Sequence, residues 1–211
     1  MMAADHRVDC YTPAGLSFDE PTHRYTFEGR ECLSVTGALV AASLLGRAWF
    51  RPGDAERGTR VHAAIELFHA GTLTDAHLDD EIRPFLLAYQ KFLADACFHV
   101  DAVEERLCDP GLMCPGTRDL RERFVDRRDV PQLGDRIDVI DVKTGHVPPW
   151  VGYQVSGYVR LLPTMVARRV TRWCLNLRAD AQYRLLPLTR RTDEQVFLAA
   201  LTVAQAKRGW L

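Results

Sequence analysis

The chain has 211 residues, of which 47% are hydrophobic and 26% are charged, and its net charge is close to −1. This length and composition favour a single globular domain, residues 1–211, that folds without disulfides. The near-neutral charge excludes a basic field over the whole molecule, so contacts with nucleic acid would have to be local. With no apolar signal region and no run able to span a bilayer, we expect a cytoplasmic protein with no membrane partner.

The N-terminal part, residues 1–97, is predicted to contain a hairpin and three helices. Alternation around a glycine indicates the hairpin, and apolar residues at helical spacing indicate the helices. The hairpin covers 23–35, and the helices cover 34 to about 49, about 55 to 70 and about 76 to 96. Ser34 or Thr36 is expected to cap the first helix.

The pattern changes to strands after residue 97, and residues 98–190 are predicted to form a sheet. Strands are predicted over 99–108, 111–120, 135–144, 169–179 and 181–189, with a polar loop or protruding hairpin over 121–134. A helix over 148–167 interrupts them, and the last segment, 191–211, is a helix with Thr192 as its N-cap. The order of elements favours an α/β fold in which helices flank a central mixed β-sheet.

The predicted strand IDVIDVKTG, residues 137–145, carries charges in an otherwise apolar sequence. Because side chains alternate along a strand, Asp141 and Lys143 point to one face. Asp119, near the end of the preceding predicted strand, could converge on them, although Asp135 or Asp138 could take its place. Two carboxylates and a backbone carbonyl suit Mg²⁺, and a nearby lysine could orient or deprotonate a water. A simple buried ion pair is the alternative.

These residues resemble the signature of PD-(D/E)XK nucleases: Asp119, followed by Asp141-Val142-Lys143-Thr144-Gly145. The resemblance is closest to the branch that contains the nuclease domain of RecB, Cas4 proteins and phage exonucleases. The sequence RGTRVHAAIE is similar to a helical G-x-x-x-H motif of that branch, and QVSGY to its Q-x-x-x-Y motif. The start HRYTFEGRECLSVTGAL is similar to that of phage-type members. The resemblance implies a restriction-endonuclease-like core with an N-terminal helical elaboration.

The resemblance implies roles for individual side chains. Asp119, Asp141 and Lys143 would be catalytic, and His62, Asp119, Asp141 and the carbonyl of Val142 would bind metal. Supporting or DNA-contacting positions would be Gln154, Tyr158, Thr144, Glu66, Glu105, Arg118 and Arg121, with Glu104 as the alternative to Glu105. Arginines of 121–136 and of 168–172 would bind the DNA backbone, with an affinity that falls steeply with salt.

The implied activity is that of a Mg²⁺- or Mn²⁺-dependent DNA nuclease, and an exonuclease of recombination, repair or phage DNA metabolism is the first expectation. The substrate would be single- or double-stranded DNA, with a recombination protein as a further partner. Some members of this branch hold an iron–sulfur cluster through one upstream and several C-terminal cysteines. Here only Cys174 follows the core, so no cluster is expected, and the cysteines are interpreted as small buried hydrophobes. The alternative function is a nucleic-acid-binding or regulatory module that does not cleave.

Overall fold

The structure is a computed structural model that describes residues 13–45, 53–95, 98–124, 137–162 and 170–211. Within these ranges the chain forms a five-stranded mixed sheet, a separate three-stranded sheet and five α-helices, which confirms the predicted α/β class. None of the helices in the described ranges is both long enough and apolar enough to cross a membrane.

A small antiparallel sheet begins the described chain. Its strands are β1 (Leu16–Asp19), β2 (Arg24–Phe27) and β3 (Arg30–Cys32). The predicted hairpin is confirmed as β2 and β3, whereas β1 was not predicted. Glu28 and Gly29 join β2 to β3 with φ values of 50° and 76°. Two consecutive positive φ angles are typical of the two-residue turn that matches the twist of a hairpin.

Three helices follow, α1 (Val35–Ala41), α2 (Asp54–Ala70) and α3 (Arg83–Asp95). Ser34 caps α1, because its Oγ accepts a hydrogen bond from the backbone N of Gly37 at 3.0 Å. The helix α1 ends earlier than predicted, and Ser43 just beyond it has a φ of 63°. The helix α3 begins later than predicted, because Asp79 accepts hydrogen bonds from the backbone N atoms of Glu81 and Ile82 and closes a turn there.

The larger sheet has the order β4-β5-β6-β7-β8, with β6 and β7 parallel and the other pairs antiparallel. Its strands are β4 (Phe98–Asp109), β5 (Cys114–Phe124), β6 (Ile137–Lys143), β7 (Val170–Leu177) and β8 (Tyr183–Pro187). The strand β5 extends beyond its predicted end at residue 120, so Arg121 lies in a strand and not in the predicted loop. The rest of that loop, 125–134, is outside the described residues, and so are residues 135–136 of the next predicted strand.

Two further helices complete the fold, α4 (Val151–Arg160), which connects β6 to the parallel β7, and α5 (Asp193–Lys207). The helix α4 is shorter than predicted at both ends, because Pro148 and Pro149 precede it and Leu161 and Leu162 follow it outside the helix. Residues 163–167 of the predicted helix are outside the described residues. Thr192 occupies the N-cap position of α5, as predicted, but its side chain makes no capping hydrogen bond.

Helices cover both faces of the larger sheet. On one face α1, α4 and α5 pack around Val139, with Phe197 fully buried among them. On the other face α2 and α3 pack around Ile140, with Phe92 fully buried. The N-terminal helices therefore share their apolar core with the sheet. Since Asp141 has the parity of Val139, its side chain lies on the face covered by α4.

The cysteines that the structure describes are free and buried, as predicted: Cys32, Cys108, Cys114 and Cys174. Burial raises the pKa of each of these thiols, that of Cys108 to about 12. They are therefore packing residues in the reduced protein. Cys10 and Cys97 lie outside the described residues.

Candidate functional site

A cleft of about 510 Å³ opens where α2, the small sheet and the strands β4, β5 and β6 meet. Its lining includes His62 of α2, Glu104 of β4, Asp119 of β5 and Lys143 of β6. These residues are far apart in sequence, and the fold brings them together. Most of the residues that the sequence predicted for the site line this cleft or lie directly behind it.

His62 links α2 to the sheet through both of its ring nitrogens. Its Nδ1 lies 2.8 Å from Oε1 of Glu104, and its Nε2 lies 3.2 Å from the carbonyl oxygen of Val142. Asp119 Oδ1 is 3.7 Å from the same Nδ1. One ligand atom from each of His62, Glu104 and Asp119 lies within 4.8 Å of the other two, a spacing compatible with a shared metal ion.

Glu104, and not Glu105, is the β4 carboxylate of this cluster. Glu104 has a φ of 47°, a left-handed conformation that is unusual for a side chain other than glycine. Glu105 is instead 5% exposed and forms a buried ion pair with Arg118, its register partner on β5. Glu105 therefore lies outside the His62–Glu104–Asp119 cluster, and Arg118, 1% exposed, is buried in the same ion pair.

Asp119 lies where β5 and β6 separate. The last register pair toward the cleft is Leu120 with Ile140. Beyond it, Oδ2 of Asp119 accepts a hydrogen bond from the backbone N of Val142 at 2.6 Å. This contact orients the carboxylate and places the Val142 carbonyl beside His62. Asp138 lies in the other half of β6, where Nε1 of Trp173 donates to it at 2.9 Å, so Asp138 does not replace Asp119. Asp135 is outside the described residues.

Asp141 and Lys143 form the predicted pair on one face of β6. Nζ of Lys143 lies 2.6 Å from Oδ2 of Asp141 and 5.7 Å from the centre of the Trp150 ring. Asp141 is 1% exposed, and its Oδ1 has no hydrogen-bond partner among the described residues. A buried carboxylate oxygen without a donor is costly, so a ligand that supplied positive charge here would stabilise the site.

The charges in this cluster shift one another's titration. Burial raises the pKa of Asp141 to about 6 despite the opposing charge of Lys143, and burial also raises the pKa of Asp119. Burial disfavours the charged form of Lys143, but Asp141 and Asp119 outweigh it and raise the lysine pKa. Burial likewise opposes the charged form of His62, but Asp119 and Glu104 raise its pKa to about 9. Lys143 is thus held as a cation, which argues against the expectation that it removes a proton from water.

Gln154 and Tyr158 lie one turn apart on α4, directly behind the carboxylates. Nε2 of Gln154 lies 2.9 Å from the Tyr158 hydroxyl and 3.1 Å from Oγ1 of Thr36. Oε1 of Gln154 is buried without a hydrogen-bond partner among the described residues. Burial raises the pKa of Tyr158 well above its usual value, and the charges of Asp119 and Asp141 raise it further, so the hydroxyl stays protonated. The predicted shared face is confirmed, whereas Thr36, which the sequence offered only as a candidate helix cap, contacts Gln154.

The turn after β6 is held by β7. Nδ2 of Asn176 donates to the carbonyls of Lys143 and Gly145, at 3.3 and 2.7 Å. Thr144 lies in this turn and lines the cleft, as expected. Glu66 also lines the cleft but is exposed and lies outside the His62–Glu104–Asp119 cluster.

The predicted DNA-binding arginines are only partly described. Arg172 was expected to hold DNA, but it pairs with Asp193 at 3.2 Å and donates to Ser156, so it connects β7, α4 and α5 instead. Arg121 and Arg123 lie in β5, with their side chains outside the described part of the structure. The arginines at 127, 128, 136, 168 and 169 also fall outside it.

No model of a known protein family matches this chain, and a search of curated proteins finds no match either. The resemblance to PD-(D/E)XK nucleases therefore stays a prediction from motifs.

Proposed function

We propose that this protein is a divalent-metal-dependent DNA nuclease and that it acts as an exonuclease. The observation that carries the proposal is the placement of His62, Glu104 and Asp119 in one cleft with the Asp141–Lys143 pair. The motif resemblance supports the same function and suggests a role in recombination, repair or phage DNA metabolism. A recombination partner is a part of the proposal that follows from the resemblance alone, and the cytoplasmic compartment is a part that follows from the sequence pattern alone.

The side chains present fit a hard divalent cation. The cluster offers carboxylate oxygens, a backbone carbonyl and one imidazole, a set that suits Mg²⁺ or Mn²⁺ better than a thiol-seeking metal. The partnerless Oδ1 of Asp141 and the concentration of carboxylates add negative charge that a cation would neutralise. His62, Glu104, Asp119 and the Val142 carbonyl would hold the ion, with Asp141 beside them.

When bound, such an ion supplies Lewis-acid polarisation of a phosphoryl oxygen and lowers the pKa of a water. Side chains of the protein would orient the water and stabilise the developing charge. Asp141 holds the ammonium of Lys143 at the cleft, where its charge and its N–H groups can orient the attacking water and stabilise charge that develops on the phosphate. Asn176 fixes the backbone on both sides of Thr144, so Lys143 has little freedom to move away.

The test is digestion of end-labelled linear and closed circular DNA, single- and double-stranded, with Mn²⁺, Mg²⁺ or EDTA. Wild type is compared with Lys143→Ala and with Lys91→Ala, a matched control whose exposed lysine pairs with Asp95 outside the cleft. We expect metal-dependent loss of linear DNA only, lowered on the order of 100-fold or more by Lys143→Ala and unchanged by Lys91→Ala.

Three results would contradict this proposal in different ways. Cutting of circles would make the protein an endonuclease. Intact substrates that are nevertheless bound by wild type would favour the non-cleaving nucleic-acid-binding module. Full activity in Lys143→Ala would remove Lys143 from the chemistry.

A further inference from the structure

Arg106 is a basic side chain of the cleft that no acidic residue of the described structure neutralises. It lies on β4 two residues after Glu104, and both side chains line the cleft. Two other cations of the lining are paired: Arg57 lies 2.6 Å from Asp54, and Lys143 lies 2.6 Å from Asp141. A half-buried guanidinium without a carboxylate, next to a cluster of carboxylates, is unusual, because an ion pair would offset the cost of its burial.

The guanidinium also has a donor that is not used. Nε of Arg106 is buried and has no hydrogen-bond partner among the described residues. Arginine presents its N–H groups as a planar fork that matches two oxygens of a phosphate. A bound phosphate would therefore neutralise the charge of Arg106.

An aromatic stack fixes the direction of this side chain. Cζ of Arg106 lies 4.9 Å from the centre of the Phe18 ring, and the Tyr25 ring lies 4.5 Å from Phe18. The Tyr25 hydroxyl is in turn 2.6 Å from Oγ1 of Thr117, the register partner of Arg106 on β5. The small sheet thus supports the guanidinium on its Phe18 side, because a cation is attracted to the face of an aromatic ring.

We propose that Arg106, positioned by Phe18, binds a phosphate of the substrate strand next to the phosphate that is cleaved. This inference rests on the proposed nuclease function. Positions two residues apart on a strand are separated by roughly 7 Å, which is comparable to the spacing of neighbouring phosphates in an extended nucleic-acid strand. Glu104, two residues from Arg106, belongs to the metal-binding cluster, so Arg106 is placed for the adjacent phosphate and not for the reacting one.

The test is binding of a fluorescein-labelled single-stranded DNA oligonucleotide in EDTA, where it is not cleaved, measured by anisotropy over a range of salt concentrations. The variants are Arg106→Gln, Phe18→Leu and the double variant, with Arg178→Gln as control, since Arg178 is exposed and pairs with Asp180 outside the cleft. We expect Arg106→Gln to weaken binding about tenfold and to lower the slope of log Kd against log salt concentration by about 0.7, the loss of one phosphate contact. Arg178→Gln should change neither quantity.

Phe18 is tested as a positioning residue by the double variant. Phe18→Leu should weaken binding by a smaller factor in the wild-type background and have no further effect once Arg106 is Gln. Comparison of 5′-phosphorylated with 5′-hydroxyl oligonucleotides identifies the source of the phosphate. A loss confined to the phosphorylated strand indicates a terminal phosphate, and an equal loss on both indicates an internal one; either result supports the proposal.

The proposal is overturned if Arg106→Gln, with an unchanged melting temperature, binds DNA with the affinity and salt dependence of wild type. The positioning role of Phe18 is overturned if Phe18→Leu weakens binding by the same factor in wild type and in Arg106→Gln. The nuclease proposal fails by a separate result, which is that wild type digests no DNA with Mn²⁺ or Mg²⁺. The digestion assay measures this result, and the binding assay does not depend on it.

Discussion

Glu104 adopts a left-handed backbone conformation in the middle of β4, at the position that contacts His62. For a residue with a side chain, this conformation costs on the order of 1–2 kcal/mol. Unfavourable backbone conformations of this kind cluster at functional sites, where the surrounding structure maintains them. Here the pairing of β4 with β5 on both sides, through Val103 and Glu105, holds the conformation in place.

This backbone strain predicts an order of stability among substitutions. Glu104→Gly should be more stable than Glu104→Ala by about 1 kcal/mol, because glycine accepts a positive φ at no steric cost. Both variants lose the carboxylate, so the comparison isolates the backbone. Urea denaturation in EDTA measures the difference, and an alanine variant as stable as the glycine variant would show that position 104 is not strained.

The Asp141 carboxyl makes a pH-dependent contribution to stability in the metal-free protein. Its pKa is about 6 in the folded protein, above the unfolded value of about 3.9, so the folded state binds its proton more tightly. Stability from this group is therefore fully present below about pH 4 and is lost as pH rises through 6. The Asp141→Asn variant lacks this titration. The difference in free energy of unfolding between the variant and wild type should therefore shift in favour of the variant by about 2–3 kcal/mol from pH 4 to pH 7, measured by urea denaturation in EDTA at each pH. An equal difference at both pH values would contradict the assignment.

At the residue scale, the sequence predicted which side chains share a face of a strand or a helix, because alternation and motif spacing determine this. The shared face of Asp141 and Lys143 follows from a period of two, and that of Gln154 and Tyr158 from a helical turn. The choice between Glu104 and Glu105 depends on strand register and on one unusual φ angle, neither of which leaves a sequence signal. Arg106 has no motif at all, and its unpaired state depends on every neighbour the fold places around it.

Among the elements, α4 is packed so closely that one of its glycines leaves no space for a methyl group. A Cβ at Gly157 would lie 2.6 Å from Cγ1 of Val35 and 2.8 Å from Cε2 of Phe197. This close approach brings α1 and α5 against α4 and so places Thr36 near Gln154. The apolar pattern of α4 predicted a helix, but a contact between helices cannot be recognised from the sequence of one of them.

Two glycine-to-alanine substitutions should have opposite effects. Gly157→Ala should destabilise the protein by about 1–3 kcal/mol through overpacking. Gly58→Ala, in α2, should stabilise it by up to about 1 kcal/mol, because a Cβ there would have Thr144 Oγ1, at 4.0 Å, as its nearest neighbour in the described part of the chain, and alanine favours the helix. The melting temperatures of both variants, compared with that of wild type, show whether each substitution stabilises or destabilises the protein. A Gly157→Ala variant that is more stable than wild type would contradict the close packing of α4.

The prediction of elements succeeded where the pattern was long and local. The helix α2 was predicted within a residue, and the buried stripe of α3, with Phe85, Tyr89 and Phe92, follows from helical spacing. The strand β1 was not predicted, because it has only four residues and forms a strand through its antiparallel pairing with β2. The extension of β5 past residue 120 was missed for a similar reason, since its charged sequence becomes a strand through pairing with β4.

For the whole molecule, a cation bound to the cluster would connect α2 to three strands of the sheet. A ligand that binds only the folded state stabilises it by about 2.7 kcal/mol at a concentration of 100 times its Kd. We therefore expect Mn²⁺ to raise the melting temperature of wild type in a saturable way. Glu104→Gln should reduce this shift, whereas Glu66→Gln, a matched change in the same cleft outside the cluster, should keep it. The absence of any shift in wild type would favour the simple buried ion pair.

The contact between His62 and Val142 joins residues 80 positions apart in the chain. A nascent polypeptide on the ribosome therefore contains α2, β4 and β5 before it contains β6. Until β6 has been synthesised and has paired, His62 lacks its carbonyl neighbour and no lysine faces the carboxylates. The complete cluster therefore forms only after β6 has been synthesised and has paired with its neighbours in the sheet.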